Sequence, residues 1–88
     1  MNETKTRTML YQDFDNLIGQ FALLYREIKE NLHTGLSVTN EVEELKFQLG
    51  EIRHFNERHR LDREMNVDHC EFFMFRLTRE LGRIKVAA

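Results

Sequence analysis

The chain has 88 residues, of which 13 are Lys or Arg and 15 are Asp or Glu, so its formal net charge is −2. A chain this short forms one domain and buries only about 60–65% of its unfolded surface, which favours self-association. Duplex-DNA binders usually carry a clear basic excess, so this composition argues against that class. The single cysteine, Cys70, excludes an internal disulfide, and no apolar run approaches the roughly 20 residues of a membrane span. We therefore expect one cytoplasmic domain over residues 1–88, with no membrane contact and no cofactor.

The first predicted helix follows a polar segment. Residues 1–8 lack apolar periodicity and are expected to form a flexible leader. Asp13 is a residue type that caps helices, and helical spacing continues to about Leu32. The predicted core face of this helix consists of Phe14, Leu17, Ile18, Phe21, Leu24, Tyr25 and Ile28. Gly35 is expected to close the helix in a left-handed conformation.

The second predicted helix carries a narrow apolar stripe. Its members follow one another at steps of four, three, four and three residues: Val38, Val42, Leu45, Leu49 and Ile52. Such a stripe packs against another helix. Ser37, Thr39 and Asn40 are alternative N-caps, and Asn40 with Glu43 has the spacing of a capping box. The same steps lead on to Asn56 and His59, so the stripe becomes polar at its end.

The third predicted helix follows a connection at residues 64–66 and starts at Asp68, with Glu71 three residues later. Its stripe is Cys70, Phe73, Met74, Leu77, Leu81 and Ile84. Phe72, Phe73 and Phe75 cannot share one stripe, so at least one of them points away from the core. The absence of proline leaves long helices uninterrupted. We predict an all-α fold in which three helices form an antiparallel helical hairpin or bundle, assembled as a homo-oligomer.

Catalytic and metal chemistry have no positive signal in this sequence. His54 and His59 are five residues apart, which separates them by about 140° around a helix, whereas two metal ligands on one turn need a spacing of three or four. No serine, histidine and acid pattern and no glycine-rich phosphate loop occurs. The basic segment of residues 53–64 could meet a phosphate, but its interleaved carboxylates equally indicate a solvated face. We expect neither an enzyme nor a metal site.

Two groups of residues suit an anionic ligand. Tyr11 precedes the first apolar run, and Tyr25, Arg26 and Lys29 lie near its end, so a ring could stack on a base while a cation meets a phosphate. The alternative is that Tyr25 belongs to the core and Lys29 is solvated. On the third helix, Arg76 and Arg79 share a face and could line an anion pocket together with Arg83, or could be solvated independently.

The order of these pieces resembles a known family. Tyr11 near the N-terminus, Ile28 and Lys29 at the end of a first helix, and Asp68, then Phe73 and Met74, then arginine on a last helix are similar to the small phage proteins that defeat CBASS immunity by sequestering cyclic oligonucleotides. The resemblance spans residues 11–81. It implies compact helical hairpins that assemble as hexamers built from dimers.

The resemblance also implies a function and a ligand site. Members of that family hold signalling molecules such as cyclic GMP-AMP between subunits and do not cleave them. Carried over to this chain, Tyr11 would stack on a base, Lys29 would contact a phosphate, and Arg79 or Arg76 would supply the arginine. The alternative function is a small helical phage or regulatory protein that binds and modulates a host protein.

Overall fold

The fold is all-α, as predicted. The computed structural model describes residues 5–87, with side chains described as far as residue 83. Three helices account for nearly all of this range: α1 Arg7–His33, α2 Thr39–His59 and α3 Glu64–Ala87. No strand occurs in it.

Helix α1 begins six residues before the predicted start at Asp13. Its N-cap is Thr6, whose hydroxyl accepts a hydrogen bond from the backbone N–H of Met9 at 3.2 Å. Asp13 lies inside the helix and pairs with Lys5 at 2.6 Å. Most of the predicted leader falls outside the helix or outside the described residues, but Arg7 and Thr8 are helical.

The turn between α1 and α2 forms at Gly35, as predicted. Gly35 has a φ of 80°, and the N–H of Leu36 donates to the carbonyl of Asn31 at 2.9 Å, which closes α1 in the manner expected of a left-handed cap. The predicted capping of α2 is wrong. Its N-cap is Val38, whose side chain is buried and accepts no bond, so packing and not capping fixes this helix start.

The connection between α2 and α3 comprises residues 60–63, and the predicted connection at residues 64–66 is instead the first turn of α3. Arg60 and Asp62 both adopt left-handed backbone conformations, with φ of 50° and 59°, and Leu61 between them is fully buried. Asn56, which is 3% exposed, accepts a bond from the N–H of Arg63 at 2.9 Å. Its amide also donates to Glu64 at 2.9 Å. The buried asparagine thus fixes the loop that starts α3.

The core joins one face of each helix and contains most of the predicted residues. The fully or largely buried members are Phe14, Phe21, Leu24 and Ile28 of α1, all five residues of the α2 stripe, and Val67, Cys70, Met74 and Leu77 of α3. Helix α2 packs on both other helices, so its stripe is already covered within one chain. One predicted core residue differs, since Phe73 is 41% exposed. Four others are partly buried and pack against the core: Leu17, Ile18, Tyr25 and Leu81. The side chain of Ile84 lies outside the described residues.

The molecule is elongated and exposes more surface than a compact domain of its mass. Its radius of gyration is 15.3 Å, compared with about 12 Å for a compact domain of this length. Its accessible surface is 6798 Å², compared with about 5,500 Å² for a typical monomer of this mass. Large apolar side chains contribute to that surface: Met9, Leu23, Leu36, Phe47, Met65, Phe72, Phe73 and Phe75.

Candidate functional site

A positively charged cleft lies between α1 and α3. It has a volume of about 390 Å³ and is lined by Tyr25, Lys29, Arg76, Arg79, Glu80 and Arg83. We call it the basic cleft. Four cations and one carboxylate give it a local charge of +3, although the whole chain carries −2. The fold therefore concentrates positive charge at one place, as an anion site requires.

The periodicity of the two helices positions the cations of the basic cleft. Tyr25 and Lys29 are four residues apart and occupy neighbouring turns of one α1 face, while the arginines recur every three or four residues along α3. Lys29 donates to Glu80 at 2.5 Å and so joins the two walls. Both side chains are about 40% exposed, so solvent weakens this pair and an anionic ligand can compete for Lys29. No local sequence signal pointed to Glu80, because the pair is 51 residues apart.

Arg76 and Arg79 lie over aromatic rings. Their guanidinium carbons are 5.7 Å from the ring centroids of Phe72 and Phe75, respectively, each one turn earlier on α3. Within the described part of the chain, no carboxylate comes within salt-bridge distance of either arginine. Guanidinium groups restrained by a ring and free of a carboxylate keep their N–H donors available for a phosphate.

An apolar groove continues from the basic cleft along the same pair of helices. The groove has a volume of about 470 Å³ and shares Tyr25 and Lys29 with the cleft. The ring of Tyr25 packs on that of Phe73 with centroids 5.3 Å apart. Arg26, predicted as a ligand residue, lines this groove and not the cleft. The aromatic residue that lines the basic cleft within one chain is therefore Tyr25.

Tyr11 lies at the other end of α1, about 27 Å along the helix axis from Lys29. Its hydroxyl donates to the carbonyl of Leu61 at 3.2 Å and accepts from Arg7 at 3.0 Å. Arg7 also donates to the carbonyls of His59 and Arg60, at 2.9 and 3.0 Å. Within one chain, Tyr11 and Arg7 therefore hold the connection between α2 and α3 against α1, and Tyr11 does not meet the other predicted ligand residues.

Tyr11 does pair with a cation, but the cation is a side chain of the same chain, Arg63. The guanidinium carbon of Arg63 lies 4.4 Å from the centroid of the Tyr11 ring. That cation occupies a face of the ring on which a base would stack. Arg53, at the start of the basic segment of residues 53–64, pairs with Glu71 of α3.

The remaining reactive side chains do not converge. Cys70 is buried, and burial together with the neighbouring Glu71 carboxylate raises the pKa of its thiol from 9.0 to about 11. His54 and His59 line a separate cleft between α1 and α2, whereas His69 lines the apolar groove. In the part of the chain that the structure describes, no three His, Cys, Asp or Glu side chains are grouped so as to hold a metal ion.

Comparisons with known proteins found no matching family model, no matching curated protein and no matching solved structure. None of the helices in the described residues is long and apolar enough to cross a membrane.

Proposed function

We propose that this protein binds cyclic di- or oligonucleotides such as cyclic GMP-AMP in the basic cleft and sequesters them without catalysis, which would counter CBASS immunity in a host cytoplasm. The observation that carries the proposal is the concentration of four cations and one tyrosine in a single cleft of a chain with net negative charge. The phosphodiesters of a cyclic dinucleotide are anionic and its bases are flat. Arginine forks bind the former, and an aromatic ring stacks on the latter.

The size of the cleft favours a site shared between subunits. Its volume of about 390 Å³ lies near the lower end of the roughly 300–1,000 Å³ typical of small-molecule sites. A single chain would therefore enclose only part of a cyclic dinucleotide. A homo-oligomer built from dimers, such as a hexamer, would supply the second wall and slow the release of the ligand.

The proposed assembly unit is an antiparallel helical hairpin or bundle. Two sets of contacts support this arrangement. Arg7 and Tyr11, near the start of α1, bond to the carbonyl of the last residue of α2 and to those of the next two residues, 60 and 61. Lys29, near the end of α1, bonds to Glu80 in the second half of α3. The exposed phenylalanines and the elongated shape support self-association.

A thermal-shift assay with a panel of cyclic dinucleotides tests the proposal. A ligand at a hundredfold excess over its dissociation constant should stabilise the protein by about 2.7 kcal/mol. Lys29→Ala should weaken binding by about tenfold or more, because it removes a charge-assisted contact to a phosphate. The matched control is Lys46→Ala, since Lys46 also pairs with a glutamate at an exposed position but lies outside the cleft.

Glu80→Gln separates ligand binding from a general loss of structure. The change removes the one carboxylate of the cleft and frees Lys29, so affinity for a cyclic dinucleotide should rise. A damaged protein would bind less tightly, not more tightly. Absence of stabilisation by every ligand of the panel would contradict the proposed function.

A second candidate function is docking on a host protein. Its support is the isolated exposure of Phe47, which is 67% exposed on α2 and lines neither the basic cleft nor the apolar groove. Phe47→Ser should abolish capture of such a target and leave nucleotide binding unchanged. A cyclic-dinucleotide response that depends on Lys29 favours the first candidate.

A further inference from the structure

Helix α3 carries a second stripe on the side away from the core. Its positions follow one another at steps of three, four, three, four and three residues, the spacing of a coiled-coil seam. We call it the outer stripe, and its members are Met65, Asp68, Phe72, Phe75, Arg79 and Gly82. All six are exposed, with Met65 at 72%, Phe72 at 55% and Phe75 at 58%. The buried face of α3 already packs within the chain, so the outer stripe has no helix against it in one chain.

When two copies of α3 run in opposite directions, the residues of one outer stripe face complementary residues of the other. We propose that α3 pairs antiparallel with α3 of a second copy along this stripe, with the twofold axis between positions 73 and 74. Phe72 then faces the partner's Phe75. Asp68 faces the partner's Arg79. Met65 faces the partner's Gly82. This inference rests on the self-association in the proposed function, and it is independent of the identity of the ligand.

Each layer of this pairing satisfies a group that one chain leaves open. No described opposite charge lies within salt-bridge distance of Asp68 or of Arg79. A Cβ atom added at Gly82 would meet nothing within 4 Å, so there is space above this position for a long side chain from another molecule. Glycine destabilises the interior of a helix, and the close approach of a partner helix would explain why a glycine stands at this position.

The charges select both the direction and the register of the pair. In a parallel pair each position would face itself, so Asp68 would oppose Asp68 and Arg79 would oppose Arg79, which is repulsive. Sliding the antiparallel pair by seven residues in one direction would set Asp68 against Phe72 and leave the carboxylate facing a ring. In the proposed register, phenylalanine faces phenylalanine, aspartate faces arginine, and methionine faces glycine. The twofold symmetry forms each of these contacts twice.

The pairing also bears on the basic cleft. Arg79 belongs both to the outer stripe and to the cleft. The start of the partner's α3 would therefore lie beside the cleft mouth as a second wall. The partner's Asp68 would bond to Arg79, so Lys29, Arg76 and Arg83 would remain the cations available to a phosphate. The outer stripe from position 65 to position 82 is about 26 Å long. This length allows two helices to pair along it, but the interface that they bury would be small.

Charge reversal tests the pairing in sedimentation velocity experiments on the full chain. Asp68→Arg and Arg79→Asp should each weaken self-association by at least about tenfold, because each places like charges in contact. The double variant Asp68→Arg with Arg79→Asp should restore association to within a few fold of the wild type. Glu44→Arg, a reversal at an exposed position of α2, is the matched control and should change nothing.

The outcomes separate this inference from the proposed function. A wild-type chain that stays monomeric would overturn both the pairing and the proposed assembly. An oligomer that neither single reversal weakens, or that the double variant fails to restore, would overturn the pairing alone. Circular dichroism checks that each variant folds.

If one reversal prevents folding, Phe72→Ser supplies the test. It removes the contact between phenylalanines at an exposed position and should also dissociate the pair. Unchanged association of Phe72→Ser would overturn the pairing.

Discussion

Single residues near the ends of α1 have different tasks. Tyr11 and Arg7 bind carbonyl groups of the loop that joins α2 to α3, whereas Lys29 bonds across the basic cleft to Glu80. Both ends of α1 thus carry the aromatic and cationic residue types that suggest a ligand site, but those at its start stabilise the fold. The two cases differ in the groups that these side chains contact, which the sequence alone does not give.

Tyr11 should matter for stability within a single chain. Tyr11→Phe should lower the free energy of unfolding by about 1 kcal/mol, because it removes the bond to the carbonyl of Leu61. Tyr11→Ala should cost about 2–3 kcal/mol, since the packing of a half-buried ring is lost as well. Urea unfolding of both variants measures these differences. Two variants as stable as the wild type would contradict the structural role of this tyrosine.

Cys70 should react slowly with thiol reagents. The rise of its thiol pKa from 9.0 to about 11 lowers the thiolate fraction at pH 8 by about 100-fold relative to an exposed cysteine. Ellman's reagent should therefore modify the folded chain at least about 100-fold more slowly than the urea-unfolded chain. Equal rates in native buffer and in urea would show that the thiol is accessible.

The same pKa shift links Cys70 to stability at alkaline pH. Because the folded-state pKa lies above the unfolded one, the contribution is fully present below pH 9 and is lost as the pH rises towards 11. Cys70→Ala should make the decline in stability over that interval less steep. Urea unfolding of the wild type and of Cys70→Ala across this pH interval measures the difference.

At the scale of elements, the apolar stripes predicted the helices and most of the core. The stripe of α2 is buried as expected, because a spacing of three and four residues leaves little choice of face. The helix ends were predicted less well. Thr6 caps α1 through its hydroxyl but lies upstream of the apolar pattern, and Val38 starts α2 without a side-chain cap, so neither helix uses the cap predicted for it.

The loop between α2 and α3 shows why local sequence does not predict the ends of these two helices. It contains no glycine or proline, and Arg60 and Asp62 take left-handed conformations that those residue types seldom adopt. Burial of Leu61 and the bonds of Asn56 stabilise these conformations through contacts between helices. The one available signal was Asn56 itself, a polar residue that continues an apolar stripe.

Asn56→Ala should therefore destabilise the fold by about 1–3 kcal/mol, because the partly buried N–H of Arg63 loses its acceptor. The control is Asn40→Ala. Asn40 has the spacing of a capping box but lies inside α2 and is exposed, so its replacement should change stability by less than about 0.5 kcal/mol. Thermal or urea unfolding compares them, and a larger loss at Asn40 would reverse our assignment of the two roles.

At the scale of the whole molecule, charge and shape act together. The chain is acidic overall, yet the cations of α1 and α3 gather at the basic cleft, and apolar side chains are left uncovered along α3. The fold brings together Lys29, Arg76 and Arg79, three of the predicted ligand residues. It does not bring Tyr11 or Arg26 into the same cleft, since helix length and face separate them within one chain.

Sequestration without chemistry is the central claim, and equilibrium dialysis with cyclic GMP-AMP tests it most directly. The protein should retain the ligand in saturable, stoichiometric amounts, and chromatography after denaturation should return it unchanged, because no nucleophile with a partnered base lines the basic cleft. Failure to retain the ligand at micromolar protein, or linear products that accumulate with time and protein concentration, would contradict the account.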